Sequence, residues 1–286
     1  SAGRAPRAAT MGKLTVAPVA LSREEVDDYY QGFCNGTLWP LYHDAIHPPQ
    51  FHRQWWQPYR EVNQRFARAI ARRARRNALV WVHDYHLQQV PGYLRQLRPD
   101  LRIGLFLHIP FPPEELFAWL PWRSAILRGM LGADVVGFQT ESNANNFSRV
   151  ARRFTPAEGT DRELTIDARR VRCISVPISI DAADFDRHAR SEKARARAAQ
   201  IRASLGNRQI LLAVDRMDYT KGIPERLEAL GRLFEKYPEW VGRLSFIQIA
   251  VPSRIALREY RDVQLRTRTD ARGDVTALDQ IGRAHV

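Results

Sequence analysis

Apolar runs of strand length alternate along this chain with segments whose apolar residues recur at helical spacing. The strand-like runs cover residues 78–82, 101–107, 135–138, 171–176, 210–214 and 244–250. The segments between them predict helices, notably at residues 90–98, 121–131, 141–154 and 191–205. Nearly continuous apolar strands separated by helices are typical of buried parallel sheets, so the pattern predicts an α/β fold.

Two helices are predicted ahead of the first of these strands. Ser22 and Glu25 have the spacing of a capping box, which predicts a helix that starts there and runs to about Cys34. The next helix is predicted from four apolar residues that share one helical face, Tyr59, Val62, Phe66 and Ile70.

The alternation is interrupted at residues 177–181, where Pro-Ile-Ser-Ile-Asp follows a strand. A helix then leads to a new strand that starts at Gln209. We therefore predict a domain boundary near Asn207, with a first domain of residues 1–206 and a second of residues 207–286.

The strand that ends at Val214 is followed by a loop with two cations, Arg216 and Lys221, and then by a helix from Pro224. Proline suits the first turn of a helix, so the loop ahead of it presents unpaired N–H groups and the positive end of the helix dipole. Arg216 adds a guanidinium that can bind two oxygens at once. The combination favours phosphate binding, although an isolated Arg/Lys pair more often only solvates a turn.

Other candidate residues also follow the carboxyl ends of predicted strands. His83 and Asp84 come directly after one strand, and His108 comes directly after the next. In open parallel sheets this edge forms the ligand crevice. Polar residues commonly end strands, so the position is only mildly informative on its own.

A metal site is the alternative interpretation of two short motifs. His83 and His86 lie three residues apart, but they straddle a strand-to-helix loop and no third ligand has matching spacing. Asp184 and Asp186 form an Asp-x-Asp pair that falls in the segment leading from one predicted domain to the other. We expect no metal and no cofactor, because the two loop cations can supply the positive charge that a divalent ion gives elsewhere.

Four motifs along the chain carry a family resemblance. They are YYQGFCNGTLWPLYH at residues 29–43, WVHDYHL at 81–87, FLHIPFP at 106–112 and RMDYTKG at 216–222. Their order and spacing resemble glycosyltransferase family 20, the trehalose-phosphate synthases. The resemblance runs from about Lys13 to about Arg261.

The resemblance implies an α/β fold with two facing Rossmann-like domains, the GT-B type. Residues 1–206 would be the acceptor-side domain, and residues 207–286 the start of the nucleotide-sugar-binding domain. The implied reaction transfers glucose from UDP-glucose to glucose 6-phosphate with retention of configuration, and it forms trehalose 6-phosphate in trehalose biosynthesis.

Six residues of this chain match the family's site. Cations aimed at the departing diphosphate would stabilise the transition state more than the ground state. The implied catalytic set is therefore Asp84, His108 and the two loop cations. By role, the six are the acceptor-binding residues Tyr30, Trp39 and Asp84, the donor-glucose contact His108, and the donor-diphosphate-binding residues Arg216 and Lys221.

Both ends of the chain depart from the resemblance. Residues 1–10 contain nothing like the family's opening strand and glycine-rich loop, and residues after about 261 diverge. We therefore expect a fragment whose second domain is truncated and which is itself inactive. Two alternatives to the synthase activity stay open: a relative that uses another phosphorylated acceptor, such as glycerol 3-phosphate, and a catalytically inactive or regulatory homologue.

The formal net charge of +13 suggests nucleic acid as a possible class of partner. Only four of the 44 basic residues are lysines, however, and runs such as residues 72–76 lie on the polar sides of predicted helices. We therefore expect solvated helix faces and no nucleic-acid partner.

The cysteines and the hydropathy bear on the compartment. Cys34 and Cys173 are far apart in sequence and suggest no disulfide framework. No apolar run approaches the length of a membrane span, and the first residues lack the apolar core of a signal peptide. We expect a cytoplasmic protein without a membrane partner, and the sequence leaves a homo-oligomer open.

Overall fold

The structure is a computed structural model that describes residues 9–11, 14–206 and 208–251. Its contacts divide the chain into two units, one that ends at Ile178 and one that begins at Ser179. The predicted boundary near Asn207 falls outside the described residues and stays a prediction.

The described strands and helices alternate along most of the chain. The strands are β1 Ala9–Met11, β2 Leu14–Val16, β3 Leu79–His83, β4 Arg102–Phe106, β5 Val135–Phe138, β6 Glu158–Gly159, β7 Glu163–Ile166, β8 Arg169–Ser175, β9 Gln209–Arg216 and β10 Leu244–Val251. The α-helices are α1 Arg23–Glu25, α2 Trp39–Tyr42, α3 Arg53–Arg73, α4 Val90–Leu97, α5 Glu114–Phe117, α6 Arg123–Met130, α7 Glu141–Phe154, α8 Ala182–Ala189, α9 Glu192–Ser204 and α10 Ile223–Lys236. A π-helix covers Val26–Leu38, and short 3-10 helices cover Tyr85–Leu87, Tyr219–Lys221 and Pro238–Trp240.

The first unit is built on a six-stranded sheet in the order β3-β4-β5-β8-β7-β6. β3, β4, β5 and β8 run parallel, and the helices between them confirm the predicted α/β fold. β7 and β6 extend the sheet with antiparallel pairing, which the sequence did not predict. The turn between β7 and β8 has Asp167 and Ala168 at φ 49° and 58°. Such two-residue turns usually carry glycine, so an Asp-Ala turn gives little signal in the sequence.

The predicted capping box is confirmed at the start of α1. Ser22 Oγ accepts a hydrogen bond from Glu25 N at 3.1 Å, and Glu25 Oε2 accepts one from Ser22 N at 2.8 Å. The helix that follows differs from the prediction, because the chain continues from α1 as the π-helix to Leu38. Gly32 lies against Trp55 of α3, where a Cβ atom would come within 2.6 Å of the indole. Irregular helices of this type are frequent at functional sites.

The expectation of fully buried strands is wrong for β3, which lies at an edge of the sheet. Leu79 and Trp81 are 72% and 64% exposed, whereas Val82 between Trp81 and His83 is buried. Successive side chains of a strand point to opposite faces, and no described residue covers this face of β3. β9 in the second unit likewise exposes Leu212 and Val214.

An aromatic core holds the segment that follows β4. Phe111 packs with its ring centroid 5.1 to 5.9 Å from those of four other rings, Tyr42, Phe117, Phe138 and Phe147. All five residues are buried. Buried aromatic rings contribute much of a core's packing energy, so this cluster fixes the chain directly after His108.

The second unit contains the parallel pair β9 and β10, with α10 between them in the chain. α10 buries Ile223, Leu227 and Leu230 on one face. Within the described parts of both units, no helix combines the length and hydropathy that a bilayer crossing requires.

Candidate active site

Asp84 connects the loops that follow two neighbouring parallel strands. Its backbone N–H donates to Phe106 O at 2.7 Å, and its Oδ1 accepts from the backbone N–H of His108 at 3.2 Å. Asp84 has a φ of 70°, which is unusual for a residue other than glycine and is common where geometry serves a site. The structure therefore brings Asp84 and His108 together at the carboxyl edge of the sheet.

His83 and His108 form a pair of imidazoles beside this loop. His83 Nδ1 lies 2.9 Å from His108 Nε2, and the rings stack with centroids 5.2 Å apart. Partial burial lowers the pKa of His83, charge repulsion from His108 lowers it further, and Asp84 opposes both effects. These effects favour the neutral form of His83, and the 2.9 Å separation places one hydrogen between the two rings.

Tyr30 and Trp39 reach the same loop through the residues after Asp84. Tyr30 is half-buried and stacks on His86 with ring centroids 5.5 Å apart. Trp39 packs on Tyr85, with centroids 5.7 Å apart. Trp39 is only 5% exposed, so in this geometry its ring supports the loop more than it offers a surface to a ligand.

A buried polar network holds residues 84–89 from beneath, and the sequence did not predict it. The Tyr59 hydroxyl donates to Tyr85 O at 2.8 Å, and burial keeps the pKa of Tyr59 well above its ordinary value. Asn63 Nδ2 donates to His86 O at 3.0 Å, while Asn63 Oδ1 accepts from Gln89 N at 3.1 Å. The available signal was an asparagine within the apolar face of a helix, since buried polar groups are normally hydrogen-bonded.

The second unit contains the predicted junction of strand, loop and helix. Asp218 is buried, and its Oδ1 accepts from Thr220 N at 3.0 Å and from Thr220 Oγ1 at 2.9 Å. Gly222 adopts a φ of 60°, after which α10 begins with Pro224 in its first turn. The loop that carries Lys221 is therefore fixed by its own short-range bonds.

A third cation near this loop is already neutralised. Arg226 Nη1 donates to Asp215 Oδ2 at 2.8 Å and to Gln248 Oε1 at 2.7 Å. Burial opposes ionisation of Asp215, but the hydrogen bonds from Arg226 and Gln248 outweigh it, so the pKa of Asp215 is lowered. Arg216 and Lys221 are exposed, and neither forms an ion pair with another described residue. Their charge remains available to an anion.

The six predicted site residues thus form two groups. Tyr30, Trp39, Asp84 and His108 gather around residues 84–88 of the first unit, and the two loop cations lie in the second unit. Neither metal motif forms a site: His83 pairs with His108, and the aspartates of the Asp-x-Asp pair lie on α8 in ion pairs with Arg187 and Arg190. Among the described residues, no three His, Cys, Asp or Glu side chains are placed to hold a metal.

Comparison with known proteins decides the family. The model of glycosyltransferase family 20 matches residues 5–272. The chain belongs to glycosyltransferase family 20. Its family relative from Mycolicibacterium gilvum, named trehalose-6-phosphate synthase, is 50% identical over 267 residues, which cover 88% of this chain and 52% of the relative. The chain therefore spans about half the length of the curated relatives that it matches.

Solved structures of the family share the fold. An Escherichia coli structure described as trehalose-6-phosphate bound with UDP-2-fluoro glucose is 33% identical, with a TM-score of 0.87. The match covers 95% of this chain and 60% of the Escherichia coli chain. An alpha,alpha-trehalose-phosphate synthase (UDP-forming) from Burkholderia xenovorans, in complex with glucose-6-phosphate, is 31% identical with a TM-score of 0.82, and covers 93% and 60%. These likenesses confirm the α/β class and the GT-B type, of which the chain has a part.

Proposed function

We propose that this family 20 chain is part of a UDP-forming α,α-trehalose-phosphate synthase. The activity would transfer glucose from UDP-glucose to glucose 6-phosphate with retention and would release UDP. The observation that carries the proposal is the exposed pair Arg216 and Lys221, next to a third cation that is already paired with a carboxylate. The names of the curated relatives and the ligands of the two solved structures support this choice of substrates.

In the second unit, the two loop cations would bind the donor diphosphate. The leaving group gains negative charge as its bond to glucose breaks, so fixed cations favour the transition state over the ground state. The loop geometry suits this role, because Asp218 and Gly222 set the backbone ahead of α10 without using either charge. No carboxylate nucleophile is required if the departing phosphate accepts the acceptor's proton.

In the first unit, Asp84 would bind an acceptor hydroxyl and His108 would contact the donor glucose. The hydrogen bond from His108 N to the Asp84 carboxylate fixes the two residues relative to each other. Tyr30 is the better candidate for direct contact with the acceptor, since it is half-buried on His86, whereas Trp39 would act by holding the loop.

We place this activity in the cytoplasm, and it requires neither nucleic acid nor membrane. Cys34 and Cys173 are buried thiols. Burial raises the pKa of Cys173 to about 11, which keeps this thiol protonated and unreactive in a reducing compartment.

The proposal can be tested in a chimera that joins this chain to the remaining part of the Mycolicibacterium gilvum relative. Arg216→Met and Lys221→Met should each lower kcat by about 100-fold or more, as expected for a group that stabilises a developing charge. Arg232→Met is the matched control, because Arg232 is an exposed arginine of α10 that pairs only with Glu228 among the described residues. Unchanged turnover in both loop variants would contradict the proposed clamp.

Product analysis separates the synthase from its relatives. Mass spectrometry of the chimera's products should show trehalose 6-phosphate from UDP-glucose and glucose 6-phosphate. Tyr30→Ala should raise the KM for glucose 6-phosphate much more than the KM for UDP-glucose. Transfer only to another phosphorylated acceptor would favour that class of relative, and a folded chimera without transfer would favour a regulatory homologue.

A further inference from the structure

A cavity of about 420 Å³ lies in the first unit, apart from the candidate residues Asp84 and His108. Arg169 is the first residue of β8, and Leu131 and Gly132 lie just ahead of β5. The cavity is therefore at the amino edge of these parallel strands, whereas Asp84 and His108 follow carboxyl ends. Its lining includes Arg95, Arg128, Leu131, Gly132, Asp167 and Arg169.

Three arginines face this cavity, and they differ in how their charge is compensated. Arg95 is satisfied, because its Nη2 donates to Asp134 Oδ1 at 2.7 Å and its other nitrogens donate to backbone carbonyls such as Gly132 O. Arg128 is exposed and forms no ion pair with any other described residue. It therefore brings an uncompensated charge to the cavity wall.

Arg169 is held in place but remains incompletely bonded. Its Nη2 donates to Leu131 O at 2.7 Å, whereas its Nη1 is buried and has no hydrogen-bond partner in the described part of the chain. Burial lowers the pKa of Arg169, repulsion from Arg95 lowers it further, and Asp134 and Asp167 only partly oppose this. A buried donor without an acceptor is costly, so an anion bound at this wall would relieve both the missing bond and the repulsion.

A second cavity of about 270 Å³ adjoins the first. The two share Gly92, Gln96 and Arg128, so Arg128 stands where they meet. The second cavity has Trp56 and Tyr93 in its wall, together with Arg60, whose Nε lies 3.5 Å from the Tyr93 hydroxyl. A charged end and an aromatic end are thus contiguous, and their combined size suits a small organic molecule rather than a lone ion.

We infer that this double cavity binds a small phosphate ester, with the phosphate against Arg128 and Arg169 and the organic part towards Trp56 and Tyr93. Arginine is well suited to this ligand because its planar fork matches phosphate oxygens. The charged end lies at the amino edge of the first unit's parallel strands, whereas Asp84 and His108 follow carboxyl ends. The phosphate would therefore bind apart from these two candidate residues.

The test is isothermal titration of the chain with inorganic phosphate and with phenyl phosphate, the simplest aromatic ester. An Arg216→Met/Lys221→Met background removes binding by the loop cations. Arg128→Met and Arg169→Met should each weaken phenyl phosphate by about tenfold or more, the usual effect of losing a charge-assisted hydrogen bond. Phenyl phosphate should also bind more tightly than inorganic phosphate.

Arg170→Met is the matched control, because Arg170 is the next residue of β8, is exposed and lies outside the cavity. It removes the same net charge and should leave binding unchanged. Arg128→Met remains informative even if Arg169→Met fails to fold, since the exposed Arg128 side chain forms no ion pair or hydrogen bond with another described residue. Binding that is absent, that is insensitive to Arg128, or that falls equally with Arg170→Met would overturn the inference.

Discussion

Replacing Asn63 with leucine should destabilise the first unit, because this side chain holds the backbone of residues 86 and 89, just after Asp84. Asn63 is fully buried and makes three hydrogen bonds, to Tyr59 O at 2.8 Å, His86 O at 3.0 Å and Gln89 N at 3.1 Å. Leucine has the same branched arrangement of four side-chain heavy atoms, but its methyl groups are larger than the amide oxygen and nitrogen, so any overpacking adds to the loss of the polar bonds.

The magnitude follows from those three bonds. Each hydrogen bond contributes about 1 kcal/mol net, and Gln89 N loses its acceptor in a buried place, so we expect a loss of about 3 kcal/mol. His86 O would keep one hydrogen-bond donor, since it also accepts from the Tyr29 hydroxyl at 3.2 Å. In a unit of this size the melting temperature should fall by about 6–12 °C.

Tryptophan fluorescence during chemical and thermal unfolding is a suitable assay. Trp240 is the only tryptophan after Ile178, so the signal reports mainly on the first unit. Gln64→Leu is the control on the same helix, because Gln64 bonds only the exposed Arg68 among the described residues. The reasoning is refuted if Asn63→Leu stays within about 1 kcal/mol of this control, a difference too small for three buried bonds.

Three further predictions concern titration and close packing. Because the pKa of His83 is lowered from 6.5, the folded chain binds fewer protons than the unfolded chain near that pH, and stability should fall as the pH drops below about 6.5. His83→Gln should reduce this fall, measured as the difference between denaturation curves at pH 5.5 and 7.5. The pKa of Asp215 is lowered from 3.8, so its stabilisation is present above that pH and lost in acid. Asp215→Asn should therefore lessen the acid sensitivity of the second unit, measured by hydrogen exchange of its backbone amides. Gly132→Ala places a Cβ 2.4 Å from a neighbouring backbone and should cost about 2 kcal/mol or more, while Gly231→Ala meets nothing within 4 Å and should gain about 0.5–1 kcal/mol; equal melting temperatures would contradict the packing argument.

Local patterns predicted the elements and the edge of the sheet that carries the candidate residues. The strand at 135–138 and the helix at 141–154 are found at their predicted bounds, because the apolar period and the flanking polar residues are both local signals. The order of strands and helices then placed Asp84 and His108 at a common edge, since the carboxyl ends of parallel strands meet there.

Features that depend on distant residues could not be predicted in this way. Asn63 bonds the backbone of residues 86 and 89, and nothing in its own neighbourhood specifies those partners. The burial of Trp39 depends likewise on its contact with Tyr85. The motif therefore identified Trp39 as a candidate residue but did not predict how much of its side chain is exposed. The exposure of Leu79 and Trp81 on β3 depends on which elements lie against that face, and an apolar run does not reveal this.

The contact between His83 and His108 links the chemistry of two residues that lie 25 positions apart in the chain. A neutral pair carries two ring hydrogens, and one of them lies between the rings. Only one is left for the two outward-facing nitrogens, Nε2 of His83 and Nδ1 of His108, so one of these donates while the other accepts. A ligand group that selects either role at one end thereby selects the opposite role at the other end, and both tautomers must change together.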